Sequence, residues 1–223
     1  MSKPAATPET PATTATKPAK RRSSAQTREH LLQVAHDLFY WHGIRAVGVD
    51  RIAAEAGVAP TTLYRLFASK DDLIAAYVER GADDYREWFT AATRADGRGV
   101  RERILALFDA LLVQIRPDQC RGCPFLMSLA ELPEAGHAGH RQAVALKQWV
   151  REQLGELTEE LAGTAPLADP SLLADQLTLV MEGTYASVQA LGVDGPARQA
   201  RAFAEALLPD ADHAEEPGLE PAP

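Results

Sequence analysis

The chain has 223 residues, 46% of them apolar, a formal charge of -8 and only two cysteines. This is enough apolar material for a sizeable core, yet no run approaches the roughly 18 apolar residues of a membrane helix, and the first residues lack the apolar segment of a secretory signal. Cys120 and Cys123 are too few for a disulfide scaffold, so a cytoplasmic, reduced protein with no membrane partner is expected.

Charge is distributed by segment. Residues 1 to 70 carry 10 Lys/Arg and 5 Asp/Glu, whereas the remainder carries 13 and 26. A basic first third on an acidic remainder suggests that one end meets an anionic partner. The Pro- and Ala-rich residues 1–24 and the Pro- and acid-rich residues 209–223 cannot bury enough apolar surface to offset the entropy of ordering, and disorder is expected for both. Within the first, the run KPAKRR (17–22) reads equally as a DNA-tracking arm or as a solubilising tail.

Between these tails the periodicity is helical throughout, predicting an all-α fold of about nine helices. A first helix is expected over 26–42, with Leu31, Val34, Ala35, Leu38 and Phe39 on one face and Gly43 as its stop. A short second helix over 49–56 turns Ile52 and Ala53 inward and ends at Gly57. A third opens on Pro60, which loses nothing by lacking an N–H there, and buries Leu63, Leu66 and Phe67. Two short helices about a glycine turn make a helix-turn-helix. The polar remainder of the third helix, Thr61, Thr62, Tyr64 and Arg65, consists of residue types that bond base edges and phosphates.

Further helices are expected over 70–92, 100–115, 125–132, 140–161, 170–191 and 196–208. The last two are apolar on more than one face: Leu172, Leu173, Leu177, Leu179, Val180, Met181, Val188 and Leu191 cannot share one stripe. Such a helix is buried on several sides, against the core and a partner subunit or at the centre of a monomer. On the middle helices Phe89, Phe108, Phe125, Met127, Trp149, Met181 and Tyr185 are candidates to line an apolar cavity. Glu182 or Glu131 would supply its polarity, with core packing the alternative for each residue taken singly.

The run GIRAVGVDRIAAEAGVAPTTLYRLFASKDDL resembles the DNA-binding region of TetR-family transcriptional regulators over about Arg28 to Leu73, and GCPFLMSLAELPE is similar to a segment of some members. The resemblance implies a repressor that binds double-stranded operator DNA as a homodimer, paired through its last two long helices and released by a small-molecule effector. It divides the chain into a DNA-binding domain (25–70) and an effector-binding and dimerisation domain (71–208). By the same resemblance Thr61, Thr62 and Arg65 would meet bases, Tyr64 would meet phosphate or support the flank, and Lys70 would meet phosphate. Arg45 and Gly48 would lie near the backbone at the start of the second helix. Gly48 and Ala59 stand where many members carry a hydroxyl cap; Ala is a poor cap, costing roughly 1 kcal/mol.

Cys120-x-x-Cys123 followed by His137-x-x-His140 has the outline of a zinc site, but two residues between the histidines is short of the usual spacing and no strand precedes the cysteines. Buried thiols and loop histidines are the plainer reading, and no cofactor or metal is expected. Catalytic fingerprints are likewise missing: there is no G-x-S-x-G, Walker loop, H-E-x-x-H or dinucleotide motif, so an enzyme is not expected. The alternative to a regulator is a helical ligand-binding or interaction module without specific DNA binding.

Overall fold

Helix α1 spans Ser24–His42 and starts at Ser24, not at Gln26 where the apolar periodicity first becomes visible. The reason is a capping box. Ser23 Oγ accepts the Gln26 N–H at 3.2 Å, and the Gln26 side chain accepts the Ser23 N–H at 2.9 Å. The computed structural model describes residues 22–116 and 120–209, so residues 22–24 belong to or flank a helix, while the remainder of the basic run KPAKRR and the acidic tail beyond residue 209 lie outside the described residues.

Among the described residues the chain forms nine α-helices, one 3-10 turn and no strand. After α1 come α2 (Val49–Glu55), α3 (Pro60–Leu66), α4 (Lys70–Ala92), α5 (Val100–Gln114), α6 (Pro124–Glu131), α7 (Ala138–Ala162), α8 (Pro170–Leu191) and α9 (Ala200–Leu207). The expected final helix is divided: Pro196–Gln199 is a 3-10 turn that leads into α9. Helix α7 begins earlier than expected because His137 Nδ1 accepts the Gly139 N–H at 3.0 Å and caps it. Side-chain caps also set α4, through Ser69 Oγ and the Asp72 N–H, and α8, through Asp169 and the Leu172 N–H ahead of a first-turn proline.

Helices α1, α2 and α3 pack on one another, and α1 packs on α4. Phe39 and Tyr77 join α1 to the first half of α4 edge to face at 5.4 Å. The second half of α4 packs on α7, which in turn lies along α8, and α9 closes over α5 and α8. Buried side chains from every α-helix form one continuous core, with Phe39, Phe89, Phe108, Leu73, Leu107 and Leu146 among its fully enclosed members. Burial on this scale stabilises by roughly 1.5–3 kcal/mol per large side chain.

Candidate nucleic-acid interface and effector cavity

The helix-turn-helix forms because its turn glycine adopts a conformation that other residues resist. Gly57 has φ +65°, and the Val58 N–H reaches back to the Ala53 carbonyl at 2.9 Å while the Gly57 N–H bonds Ala54 at 3.0 Å. The close approach requires a small residue, and Ala53 is 1% exposed beside fully buried Ile52 and Leu63. His30 of α1 adds a bond to the Ala56 carbonyl at 3.2 Å, tying α1 to the end of α2.

With the apolar side of α3 fixed, its other side faces outward. Thr61, Tyr64 and Arg65 are exposed and Thr62 is half-buried. No side chain caps α3 at Ala59 or α2 at exposed Gly48; in α3 Pro60 has no N–H and Thr62 bonds the Ala59 carbonyl, which leaves the Thr61 N–H open, while α2 keeps its first N–H groups uncapped.

Arg45 and Lys70 have internal partners that their sequence positions do not announce. The Arg45 N–H donates to Glu131 Oε2 at 2.7 Å and its Nε to the Glu131 carbonyl at 2.8 Å, so the α1–α2 loop is fastened to the end of α6. Gly43 lies under the same carboxylate with φ +91°, where an added Cβ would stand 3.2 Å from Glu131 Oε1. Lys70 Nζ donates to the Ile44 carbonyl at 2.7 Å. Its burial lowers the ammonium pKa, while Glu131 and Asp71 act in the opposite direction.

A second fastening joins α1 to the loop before α6. The Arg121 guanidinium donates to the Tyr40 and Trp41 carbonyls at 2.9 and 2.7 Å, closing the end of α1. The Arg121 N–H donates to the Tyr40 hydroxyl at 2.6 Å, and that hydroxyl donates to the Gly122 carbonyl at 3.0 Å. Tyr40 is 8% exposed, and burial raises its phenol pKa far above the usual value.

Behind this joint is a cavity of about 220 Å³ between α1, α4, the end of α5, the Cys120–Phe125 segment and α8. Tyr40, Tyr85, Phe125 and Tyr185 supply its aromatic walls, and His36, Asp84 and Gln114 its polar ones. Tyr185 donates its hydroxyl to Gln114. Of the nine effector candidates expected from sequence, this cavity brings together Phe125 and Tyr185.

The other seven lie elsewhere. Phe108 and Met181 are fully enclosed in the core, and Met181 sulfur accepts the Tyr85 hydroxyl at 3.3 Å. Phe89 is buried edge to face against half-buried Trp149 at 5.4 Å. Met127 is half-buried on α6. Glu182 binds Lys147 at 2.7 Å, and Glu131 is the partner of Arg45. Sequence reasoning missed His36, Tyr40, Tyr85 and Gln114, because a residue facing a cavity repeats with the same period as one facing the core.

Comparison with known proteins bears directly on this arrangement. The family model for bacterial regulatory proteins of the tetR family matches residues 31–77, which span α1 to the first part of α4. SCO4454, a TetR-family transcriptional regulator from Streptomyces coelicolor, is 32% identical over 82% of this chain and 95% of its own, with a TM-score of 0.76. The chain belongs to the TetR family. A TetR transcriptional regulator from Chloroflexus aurantiacus is 25% identical over 82% of this chain and 94% of its own, with a TM-score of 0.71. The HTH-type transcriptional regulator YjdC of Escherichia coli is 24% identical over 156 residues, covering 70% of this chain and 80% of that protein.

This TetR-family regulator is a ligand-responsive DNA-binding protein. Its two cysteines are free and buried. Burial raises the Cys123 pKa against the opposing pull of Lys147, whose ammonium lies 3.1 Å from the sulfur, so Cys123 is a thiol and Glu182 balances the lysine. The histidines are used on backbone groups: His137 caps α7, and His140 Nδ1 donates to the Leu132 carbonyl at 2.7 Å. Among the described residues no group of three or more His, Cys, Asp or Glu is placed to hold a metal ion, and no helix is long and apolar enough to cross a membrane.

Proposed function

We propose that the regulator is a repressor that binds a near-palindromic operator as a homodimer and leaves it when a small molecule occupies the cavity beside Tyr40. The observation that carries the reading is the polar outer face of α3, with Thr61, Tyr64 and Arg65 exposed opposite fully buried Leu63 and half-buried Leu66. In this reading α1–α3 form the DNA-binding domain, with the expected boundary near residue 70. Thr61, Thr62 and Arg65 meet base edges, Tyr64 meets phosphate, and the start of α2 at uncapped Gly48 lies near the DNA backbone. Arg45 and Lys70 hold the α1–α2 loop in position and reach phosphate only where their internal bonds allow it.

The second domain supplies the partner surface. The groove between α8 and the segment from Pro196 to Leu207 is apolar and open. Leu179 on α8 is 71% exposed, and Phe203 on α9 is 62% exposed. A contiguous apolar surface of this kind is characteristic of an interface. Pairing there would hold two recognition helices about one DNA turn, roughly 34 Å, apart. The effector would change that spacing through the joints linking α1 to Arg121 and the α1–α2 loop to Glu131.

Selection of bound fragments from a random DNA pool at physiological salt tests the reading. A two-fold symmetric consensus with half-sites one turn apart is expected. No enrichment by the purified protein would overturn it in favour of a ligand-binding or interaction module without specific DNA binding.

A further inference from the structure

The cavity beside Tyr40 is one-sided in charge, and this determines what it can hold. Asp84, exposed at its mouth on α4, is the one carboxylate among the described lining residues, and no Lys or Arg lines it. His36 is no substitute cation, because burial holds its imidazole below the ordinary value and leaves it neutral near pH 7. Two guanidiniums stand beside the cavity without lining it: Arg80, bound to Glu29 at 2.8 Å and to Gln33 at 3.1 Å and paired with Asp84 at 3.9 Å, and Arg121, engaged by the Tyr40 and Trp41 carbonyls at 2.9 and 2.7 Å. With Asp37 also close to His36, the rim carries more negative than positive charge.

The walls favour the same sign. Tyr85 and Phe125 meet edge to face with centroids 5.8 Å apart, and Tyr40 and Tyr185 supply further rings. Aromatic faces are negative and attract cations, the more so out of water. The Lys147 ammonium, 5.9 Å from the Phe125 centroid and 6.0 Å from that of Tyr185, does not line the cavity and is neutralised by Glu182 at 2.7 Å. An anionic ligand would be repelled by Asp84 and would find no Lys or Arg among the lining residues, whereas a neutral one would gain nothing from that carboxylate. The volume, about 220 Å³, falls below the roughly 300–1,000 Å³ of sites for drug-sized molecules.

We propose that this cavity binds a small organic cation, a protonated amine or quaternary ammonium carried on a flat apolar group, with its charge toward Asp84 and the tyrosine faces and its apolar part against Phe125. The assignment rests on the reading of this cavity as the effector site. It makes Asp84 the residue that selects for charge.

The experiment is calorimetric titration of the full chain with phenethylammonium, 2-phenylethanol and phenylacetate, which differ in charge at nearly constant shape. Phenethylammonium is expected to bind about tenfold or more tighter than the alcohol, and phenylacetate most weakly. Asp84→Asn should abolish the cation's advantage. Asp83→Asn, one residue away and paired with Arg86, should keep it. Equal or tighter binding of the alcohol or of phenylacetate overturns the assignment, as does a cation preference that survives Asp84→Asn or an absence of phenethylammonium binding at millimolar concentration. Gly81→Leu separates this from the effector-site reading. An added Cβ at residue 81 stands 3.7 Å from the Phe125 ring, so leucine fills the cavity. Binding of any probe that Gly81→Leu abolishes keeps the cavity as a ligand site even where the charge preference fails, and binding that persists in that variant overturns both.

Discussion

Residue 59 leaves α3 without a side-chain cap. Ala59 has extended geometry (φ -68°, ψ 144°) and offers no side-chain acceptor, so α3 relies on Pro60 and on the Thr62 N–H bonding the Ala59 carbonyl at 2.8 Å. A serine fits that backbone and would accept an orphan N–H. Ala59→Ser is expected to raise unfolding stability by about 0.5–1.5 kcal/mol in urea, and an unchanged midpoint would show that α3 is already held by tertiary packing alone. His36 sets a second expectation. Burial lowers its pKa below 6.5, Asp37 and Asp84 pull it upward, and Arg80 adds to the depression. The unfolded chain therefore takes up this proton at a higher pH than the folded one. Stability is full above about pH 6.5 and falls as pH drops through that value, until the folded imidazole protonates as well. His36→Gln should flatten that part of the pH–stability curve; an identical acid slope in the variant would assign it to other groups.

At the scale of elements, the end of α1 is held by a loop more than eighty residues away in sequence. The Arg121 guanidinium takes two of the carbonyls that the end of α1 leaves unpaired, and Tyr40 donates to the Gly122 carbonyl. Arg121→Ala is expected to cost about 1–2 kcal/mol. It should also speed amide hydrogen exchange in the last turn of α1 while leaving the first turns, held by the Ser23 cap, unchanged. Uniformly faster exchange along α1 would mean that the joint acts on the whole domain and not on that end. The bounds of α4 and α8 were fully legible in the sequence, since caps and apolar period agree there. The last helix was not, because the period continues smoothly through Pro196–Gln199 while the backbone winds more tightly.

At the scale of the molecule, the α8–α9 groove is the surface proposed to carry assembly. Phe203→Asp places a charge in the centre of an apolar face and is expected to shift the protein toward monomer mass by light scattering and to weaken binding to DNA carrying both half-sites. A mass unaffected by this change, and by Leu179→Asp, would move the subunit contact elsewhere. In the proposed dimer the exposed side of α3 acts through pairing, so the same variants should lose far less affinity for a single half-site.

The sequence by itself determined the helical class, the helix-turn-helix and the outward face of α3, for these depend on local signals: apolar period, a turn glycine, a proline at a helix start and a small residue at a close crossing. Only the tertiary structure decided which aromatic residues surround a cavity, and that Arg45, Lys70, Arg121 and Glu131 are used to fasten α1 and its loop to α4 and α6. A side chain facing a void and one facing the core share the same spacing, and a charged residue on a solvent-like face shows no trace of a carbonyl that arrives from a distant segment. Such roles are set by the meeting of elements far apart in the chain, which no short stretch encodes.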